Sequence, residues 1–206
     1  NELQCIGLGM SVKSYDKNMR HNINSKGELV CDRPFPSMPI GFWNDKDNKK
    51  YIKSYFSYAK NIWKHGDYIT INSHGGVIIY GRSDATLNPG GVRIGTSEIY
   101  QIVDQHDKVE DSVAVGQNVY EDERILLFLK LKKSEILTET LIDEIKTLIK
   151  SNCSPRHVPA FIIQIKDIPY TLNGKKVEIA VKRIIHNEEI TNIESISNPE
   201  CLKEYK

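Results

Sequence analysis

A segment of glycines and fixed charges, residues 81–100, constrains the fold of this chain more than any other stretch. It reads GRSDATLNPGGVRIGTSEIY. It follows an apolar run that predicts a strand over 77–80, and it ends in residues with helical spacing: Ile99, Ile102 and Val103. We expect Thr96 to cap this helix, with Glu98 in its first turn at the positive end of the helix. The pattern predicts a charged, tightly turning loop between a strand and a helix.

Three charged residues of this loop, Arg82, Asp84 and Arg93, are candidates for function. A Pro-Gly-Gly turn at 89–91 precedes Arg93. Loops that combine glycines with fixed charges more often serve function than packing. From the spacing alone, however, a hairpin with solvated charges is an equally good interpretation.

The motifs Gly81-Arg82-x-Asp84, Gly91-x-Arg93-Ile94 and Glu98-Ile99 resemble the core motif of the adenylate-forming superfamily. Within it, residues 87–88, 93–96 and 98–99 are similar to the acetyl-CoA synthetase branch. Residues 88–93 (NPGGVR) and 170–178 (YTLNGKKVE) are most similar to the acetoacetyl-CoA synthetase branch. The resemblance extends, with varying strength, over nearly the whole chain.

This resemblance implies an α+β fold in two parts. Residues 1–82 would be the C-terminal part of the large adenylation domain, a β-rich, barrel-like subdomain, and residues 83–84 a hinge. Residues 85–206 would be the small, mobile C-terminal α+β domain with a polar tail. Because the sequence begins at Asn1 rather than at Met, we expect it to be the C-terminal piece of a longer protein.

The pattern of apolar residues predicts the elements of both parts. In the first part it predicts a strand over 27–31, a helix over 49–59 whose aromatic residues pack in the core, and a hairpin formed by 68–71 and 77–80. In the second part it predicts strands over 112–116, 125–131 and 160–165, a helix capped by Thr138, and a helix after Lys175. The polar segment 187–206 is expected to be mobile or to pack against a neighbouring domain.

Composition excludes several classes of protein. The net charge of +1 argues against nucleic acid as a partner, and no apolar run approaches the roughly 18 residues of a membrane span. The cysteines, Cys5, Cys31, Cys153 and Cys201, are far apart and form no Cys-x-x-Cys pair. This spacing favours free thiols in a reducing compartment, here the cytosol, over a disulfide framework or a metal site.

Asp67 is a candidate ligand of a nucleotide. It follows Gly66 at the mouth of the predicted strand 68–71. A carboxylate can accept two hydrogen bonds from a cis-diol such as that of ribose, although a turn aspartate is the commoner role of Gly-Asp. The resemblance implies that Asp67 binds the ribose of ATP or AMP. It also implies that Arg82 and Arg93 contact the ribose and the phosphate, partners that suit a guanidinium fork.

Lys175 resembles the catalytic lysine of the superfamily. An ammonium can offset the negative charges that meet when a carboxylate approaches the α-phosphate. The superfamily usually has Ser-Gly-Lys with an arginine three positions on, whereas this chain has Asn-Gly-Lys and Glu178. The acetoacetyl-CoA branch shows the same departure. Lys176 is expected to be a solvated surface charge.

The resemblance implies further roles in the second part of the chain. Gly90 and Gly91 would let the backbone lie beside the pantetheine of CoA, and Asp84 would be the hinge rather than a ligand. Lys150 is a candidate contact for the CoA phosphate, with an exposed helical position as the alternative.

The implied activity is the ligation of acetoacetate and CoA with ATP, and Mg2+ is expected with the nucleotide. The products would be acetoacetyl-CoA, AMP and pyrophosphate, formed through an acyl-adenylate. The loop that holds the ATP phosphates and the acid pocket lie upstream in the superfamily, so the partner would be the N-terminal domain of the same protein. The alternatives are a synthetase for another short acid, such as acetate or propionate, and a non-catalytic α+β interaction domain.

Overall fold

The computed structural model describes residues 2–190 and 192–206. The chain divides between Asp84 and Ala85 into two compact units. Among the described residues, no helix is both long and apolar enough to cross a membrane.

The first unit is built on an antiparallel sheet with strand order β2-β1-β3-β4-β5. The strands are β1 (Val12–Tyr15), β2 (His21–Asn22), β3 (Gly27–Cys31), β4 (Trp63–Ile71) and β5 (Val77–Arg82). The predicted strand over 27–31 and the β4–β5 hairpin are confirmed. However, β4 begins at Trp63, because the strand continues through Gly66, which adopts a φ of +91°.

An aromatic cluster forms the core on one side of this sheet. The ring of Tyr55 stacks on Trp63 with 3.7 Å between ring centroids, and Phe35 meets Trp63 edge-on at 5.3 Å. Tyr51, on helix α1 (Lys49–Tyr55), is buried against the same cluster. The predicted core packing is therefore confirmed for Tyr51 and Tyr55, whereas it is wrong for Trp43, which is 93% exposed. The helix is shorter than predicted, because Phe56 already leaves helical geometry with a φ of −120°.

The second unit combines helices with a mixed sheet in which the order is β6-β7-β8. The elements are α2 (Thr96–Val103), β6 (Val109–Val119), β7 (Asp122–Leu131), α3 (Glu139–Asn152), β8 (Phe161–Ile165) and α4 (Glu178–Ile185). Strands β6 and β7 form a long antiparallel hairpin, and β8 pairs in parallel with β7 after the crossover through α3. Each predicted element of this unit is present. The Thr138 hydroxyl accepts a hydrogen bond from the Leu141 amide, so its predicted cap is confirmed.

Both faces of this sheet are covered. Because side chains alternate along a strand, Leu127 and Phe128 of β7 point to opposite faces. Leu127 packs in a cluster with residues of α2 and α3, and Phe128 packs in a cluster with residues of α4 and of the segment after it. The sheet therefore forms the middle layer of the unit.

The expectation for residues 187–206 is wrong where the structure describes this segment. Ile196, Leu202 and Tyr205 are each at most 6% exposed and complete the cluster around Phe128, and Cys201 is buried as well. The Tyr205 hydroxyl donates to the Asp167 carbonyl oxygen at 3.0 Å. The segment reads as polar because its few apolar residues are widely spaced, and these are the ones that pack within their own unit.

Candidate active site

Asp67 and Arg82 face each other in the first unit. They are register partners on β4 and β5. Asp67 therefore lies inside a strand, and the expectation that it sits at the mouth of one is wrong. The His65 ring nitrogen Nδ1 lies 2.5 Å from Asp67 Oδ2. His65 was not predicted from the sequence, because the predicted strand began only at residue 68. Residues two apart on a strand share a face, so a strand that begins at Trp63 places His65 beside Asp67.

Arg82 holds Asp84 with two parallel hydrogen bonds. Its Nε donates to Asp84 Oδ1 at 3.0 Å, and its Nη2 donates to Oδ2 at 2.8 Å. The hydrogen bonds to Asp84 raise the pKa of Arg82 above its ordinary value, despite opposing desolvation. Asp84 is therefore held by an ion pair with Arg82. The hinge role of Asp84 stays a prediction.

Gly66 and Glu28 shape the surroundings of Arg82. A side chain at Gly66 would place its Cβ 3.0 Å from both terminal guanidinium nitrogens of Arg82, so the glycine leaves room for that group. Glu28 is only 5% exposed and accepts a hydrogen bond from the Ser83 hydroxyl at 3.0 Å. Burial raises the pKa of Glu28, and the nearby Lys64 ammonium opposes this shift.

The glycine turn at 88–93 is anchored within the second unit. Leu87 and Ile94 pair through two backbone hydrogen bonds that close the loop. At the tip, Gly90 has a φ of +56° and Gly91 a φ of +78°. The Gly90 amide donates to Asp122 Oδ1 at 2.7 Å. A hydrogen bond from the Glu123 amide and this bond from Gly90 lower the pKa of Asp122. The turn is therefore held by its backbone.

Arg93 and Lys150 are both exposed. Arg93 lies in the stretch between the glycine turn and α2, as expected. Lys150 lies in the last turn of α3, which fits the alternative of a surface helix position. Its contact with CoA stays a prediction.

The N-terminus of α2 is capped differently from the prediction. Gly95 is the N-cap residue, and its amide donates to the Glu98 side chain at 2.7 Å. Thr96 is the first helical residue, and its hydroxyl instead donates to Glu178 Oε1 at 3.0 Å. The expected Thr96 cap is therefore wrong. Glu98 in the first turn is confirmed.

Lys175 lies on an exposed turn directly before α4. The Thr171 amide donates to the Lys175 carbonyl oxygen at 2.8 Å, and the Lys175 amide donates to the Thr171 hydroxyl oxygen at 3.1 Å. Gly174, with a φ of +73°, makes the turn between them. The Lys175 ammonium forms no hydrogen bond or ion pair with any residue that the structure describes. The backbone of Lys175 is thus fixed while its side chain can reorient.

Lys176 contradicts the expectation of a solvated surface charge. Its side chain is only 21% exposed, and its Nζ lies 3.1 Å from Asp104 Oδ2 and 2.5 Å from Asp111 Oδ1. The same ammonium lies 4.1 Å from the centroid of the Tyr100 ring. Tyr100 in turn donates its hydroxyl to Glu178 Oε1 at 3.1 Å, and burial raises the pKa of this phenol well above its usual value. Tyr100, Asp104 and Asp111 stand in no local motif and were not predicted from the sequence.

The predicted residues therefore form two groups. The first unit brings together Asp67, Arg82 and Asp84, with His65 beside them. The second unit carries the remaining candidates on its own loops and helices: Gly90, Gly91, Arg93, Lys150 and Lys175.

Comparison with known proteins gives one consistent result. No protein-family model matches the sequence. The chain is 50% identical over 201 residues to an acetoacetyl-coenzyme A synthetase of Rhizobium meliloti and 48% identical over 207 residues to an acetoacetyl-CoA synthetase of Danio rerio. These matches cover 98% and 100% of this chain but only 31% of each relative.

Solved structures give the same picture. The structure is similar to that of an acetoacetyl-CoA synthetase from Streptomyces lividans, with a TM-score of 0.92, 41% identity, and coverage of 99% of this chain and 31% of that one. A benzoate CoA ligase from Burkholderia xenovorans shares the fold, with a TM-score of 0.69 at 23% identity over 85% of this chain and 34% of that one. The predicted mixed α+β fold is confirmed.

Proposed function

Because this chain is similar over its whole length to acetoacetyl-CoA synthetases, we propose that it is the C-terminal part of an ATP-dependent acetoacetate–CoA ligase. The proposed reaction turns acetoacetate and ATP into an acyl-adenylate and pyrophosphate. The thiol of CoA then displaces AMP to give acetoacetyl-CoA. The chain spans about a third of its relatives, so the phosphate loop and the acid pocket belong to the proposed upstream domain of the same protein.

The observation that most supports this proposal is that the Lys175 ammonium pairs with no residue that the structure describes. In the adenylation step an anionic carboxylate must approach the negatively charged α-phosphate. A positioned cation can offset both charges, and such electrostatic help is often the largest contribution to catalysis. Lys175 suits this task, because its backbone is fixed and its ammonium is committed to no described residue. We assign it the role of catalytic lysine.

Asp67 and Arg82 are the proposed contacts of the nucleotide in the first unit. Asp67 would accept hydrogen bonds from the ribose hydroxyls, with His65 holding its second carboxylate oxygen. Arg82 would lie against the ribose, held in place by Asp84. Arg93 of the second unit is the proposed contact of the phosphate.

The glycine turn is proposed to border the path of CoA. A Cβ added at Gly91 would have no atom within 4 Å, so the backbone there is open to a narrow chain such as pantetheine. At Gly90 the same Cβ would overlap the Arg156 guanidinium. A side chain at either position would stand in this path.

Mg2+ is proposed to arrive with ATP. Among the described residues, no group of three or more histidine, cysteine, aspartate or glutamate side chains could hold a metal ion. The described cysteines are all free thiols, which supports the proposed location in the cytosol.

The test of the catalytic role is Lys175→Ala in the whole protein. We expect acetoacetate-dependent exchange between ATP and pyrophosphate to fall at least about a hundredfold, the usual scale for a lost electrostatic group. Thioester formation from supplied acetoacetyl-adenylate and CoA should stay within about twofold. Lys133→Ala removes an exposed lysine of the same unit and should change neither step. Equal loss in both half-reactions, or no loss in the first, would contradict the assignment.

Asp84 is proposed as the hinge between the two half-reactions. The chain divides directly after Asp84, and a rotation between steps must be absorbed by a few residues at the end of an element. Asp84→Pro fixes φ at this position and restricts Ser83. Because it also removes the partner of Arg82, Asp84→Ala is the control for the lost ion pair. Compared with Asp84→Ala, we expect Asp84→Pro to slow one half-reaction strongly and to leave the other unchanged. Normal rates in both steps would refute the hinge.

Two measurements define the substrate and the extent of the active protein. The 206-residue chain alone should form no acetoacetyl-CoA, because the phosphate loop and acid pocket would lie upstream. The whole protein, assayed with acetoacetate, acetate and propionate, should prefer acetoacetate. A clear preference for acetate or propionate would favour a synthetase for another short acid. Loss of all activity in the whole protein would favour a non-catalytic domain.

A further inference from the structure

The neighbouring lysines 175 and 176 occupy opposite environments. Lys175 is exposed, and its ammonium contacts no described residue, whereas the Lys176 ammonium sits between two carboxylates. The cause lies in the backbone: residues 169–171 and 175–177 pair as a short antiparallel hairpin, with Tyr170 opposite Lys176. Consecutive residues of an extended strand point to opposite faces. Lys176 therefore faces inward and Lys175 faces outward.

The inward ammonium joins parts of the chain that are distant in sequence. Asp104 lies at the C-terminal end of α2 and Asp111 lies on β6. The two carboxylates are also held by hydroxyl groups: Ser112 donates to Asp104 at 2.5 Å, and Tyr170 donates to Asp111. Because both carboxylates carry negative charge, the ammonium between them offsets their repulsion. Lys176 therefore attaches the hairpin to α2 and β6 together.

Glu178, the first residue of α4, provides a second attachment directly after the hairpin. Its Oε1 accepts from the Thr96 hydroxyl at 3.0 Å and from the Tyr100 hydroxyl at 3.1 Å. The Tyr100 oxygen also accepts from the Ala114 amide at 3.0 Å. Since the ring of Tyr100 packs under the Lys176 ammonium, one tyrosine takes part in both attachments. Glu178, which stands where the superfamily has an arginine, is thus part of the contacts that hold this hairpin.

We propose that Lys176 is a positioning residue, whose contacts with Asp104, Asp111 and Tyr100 hold the hairpin so that Lys175 is presented at a fixed place. The catalytic consequence of this inference rests on the proposed function, whereas the anchoring of the hairpin by Lys176 does not depend on it. The backbone of Lys175 is tied on both sides by Thr171. Anchoring at Lys176 therefore fixes the origin of the Lys175 side chain and leaves its ammonium able to reach the reacting groups.

The anchoring is tested first without catalysis, by hydrogen exchange of the 206-residue chain followed by mass spectrometry. In Lys176→Met, two carboxylates face each other without a cation, and we expect the amides of Lys175 and Val177 to exchange at least about tenfold faster. Amides of α3 should keep their rates, which shows that the unit remains folded. Lys176→Arg retains the charge and a fork that can bridge both carboxylates, so it should restore slow exchange. Unchanged exchange in Lys176→Met would overturn the proposal.

The catalytic consequence is measured in the whole protein. Lys176→Met should lower the rate of acetoacetate-dependent ATP–pyrophosphate exchange by about tenfold or more, with the KM for ATP changed less than about threefold. Thioester formation from supplied acyl-adenylate should be nearly unaffected, and Lys176→Arg should recover most of the exchange rate. Lys133→Met, which removes an exposed lysine, is the matched control and should behave as wild type. Loss in both half-reactions alike, or no rescue by arginine, would overturn the positioning role.

The two proposals fail in different ways. If Lys175→Ala does not impair adenylation, the catalytic assignment is wrong, whatever the variants of Lys176 do. If Lys175→Ala impairs adenylation but Lys176→Met changes neither the hydrogen exchange nor the ATP–pyrophosphate exchange, the catalytic role of Lys175 is supported and its anchoring by Lys176 is wrong.

Discussion

Tyr205 offers a sharp test of whether the segment after α4 belongs to the core of the second unit. Its side chain is 5% exposed, its ring meets Phe128 edge-on with 4.9 Å between centroids, and its hydroxyl donates to the Asp167 carbonyl at 3.0 Å. Burial strongly raises the pKa of Tyr205, so the phenol stays neutral at any ordinary pH. The perturbation is Tyr205→Ala, which removes the ring and the hydrogen bond together.

The magnitude follows from what the side chain contacts. Truncation of a buried aromatic residue to alanine costs about 3–5 kcal/mol, and a typical hydrogen bond contributes about 1 kcal/mol. We take the lower end, about 3 kcal/mol in the free energy of unfolding. Tyr205→Phe keeps the ring against Phe128 and should lose only about 1 kcal/mol.

Urea denaturation of the 206-residue chain measures these values. Tyr120→Ala is the matched control, because Tyr120 is fully exposed and its removal should change the free energy of unfolding by less than about 0.5 kcal/mol. If Tyr205→Ala were no more destabilising than Tyr120→Ala, the tail would not be part of the folded core, and the reasoning would be refuted.

Three further predictions concern single side chains. Burial raises the pKa of Glu28 above 4.5, so the stability that its neutral form contributes is fully present below about pH 4.5 and is lost as the pH rises through the folded-state pKa. The free energy of unfolding of Glu28→Gln relative to wild type should therefore rise between about pH 4 and pH 7. A difference that does not change with pH in urea titrations would contradict this. Thr138→Ala should lose about 1 kcal/mol through the lost cap of α3, whereas Thr140→Ala, exposed in the same turn, should lose none, as thermal unfolding can show. Burial raises the pKa of Cys201 to about 11, so only about 0.1% of this side chain is thiolate at pH 8. The fast reaction with Ellman's reagent should therefore belong to the exposed Cys5. A fast reaction that persists in Cys5→Ser would show this to be wrong.

The elements of the second unit could be predicted from sequence because they follow simple periodicities. The alternation of apolar residues over 125–131 predicted a strand, and the spacing of apolar residues after Thr138 predicted a capped helix. Strand β4 was predicted too short, since a Gly-Asp pair usually indicates a turn. The strand continues because Asp67 pairs with Arg82 of β5 and because Trp63 and Lys64 pair with Cys31 and Val30 of β3. Local patterns therefore predicted the elements better than their ends.

The candidate residues divide in the same way. Arg82, Asp84 and Lys175 stand in short motifs, so the sequence identifies them as candidates, although their proposed roles await the experiments above. The environment of Lys176 could not be predicted, because its carboxylate partner Asp104 is 72 residues away along the chain. Thr96 looked like a helix cap for a related reason: its true partner, Glu178, is 82 residues away. Contacts between distant segments leave no trace in a local pattern.

The packing of Tyr205 on Phe128 has a consequence for the synthesis of the protein in the cell. Tyr205 follows Phe128 by 77 residues in the sequence. At a synthesis rate of about 5–20 residues per second, the ring that covers Phe128 is made roughly 4–15 s after the strand that needs it. During this interval the part of the apolar face that Tyr205 covers is open to chaperones and to other nascent chains. Substitutions in the tail are therefore expected to reduce the yield of folded protein during translation as well as the stability of what has folded.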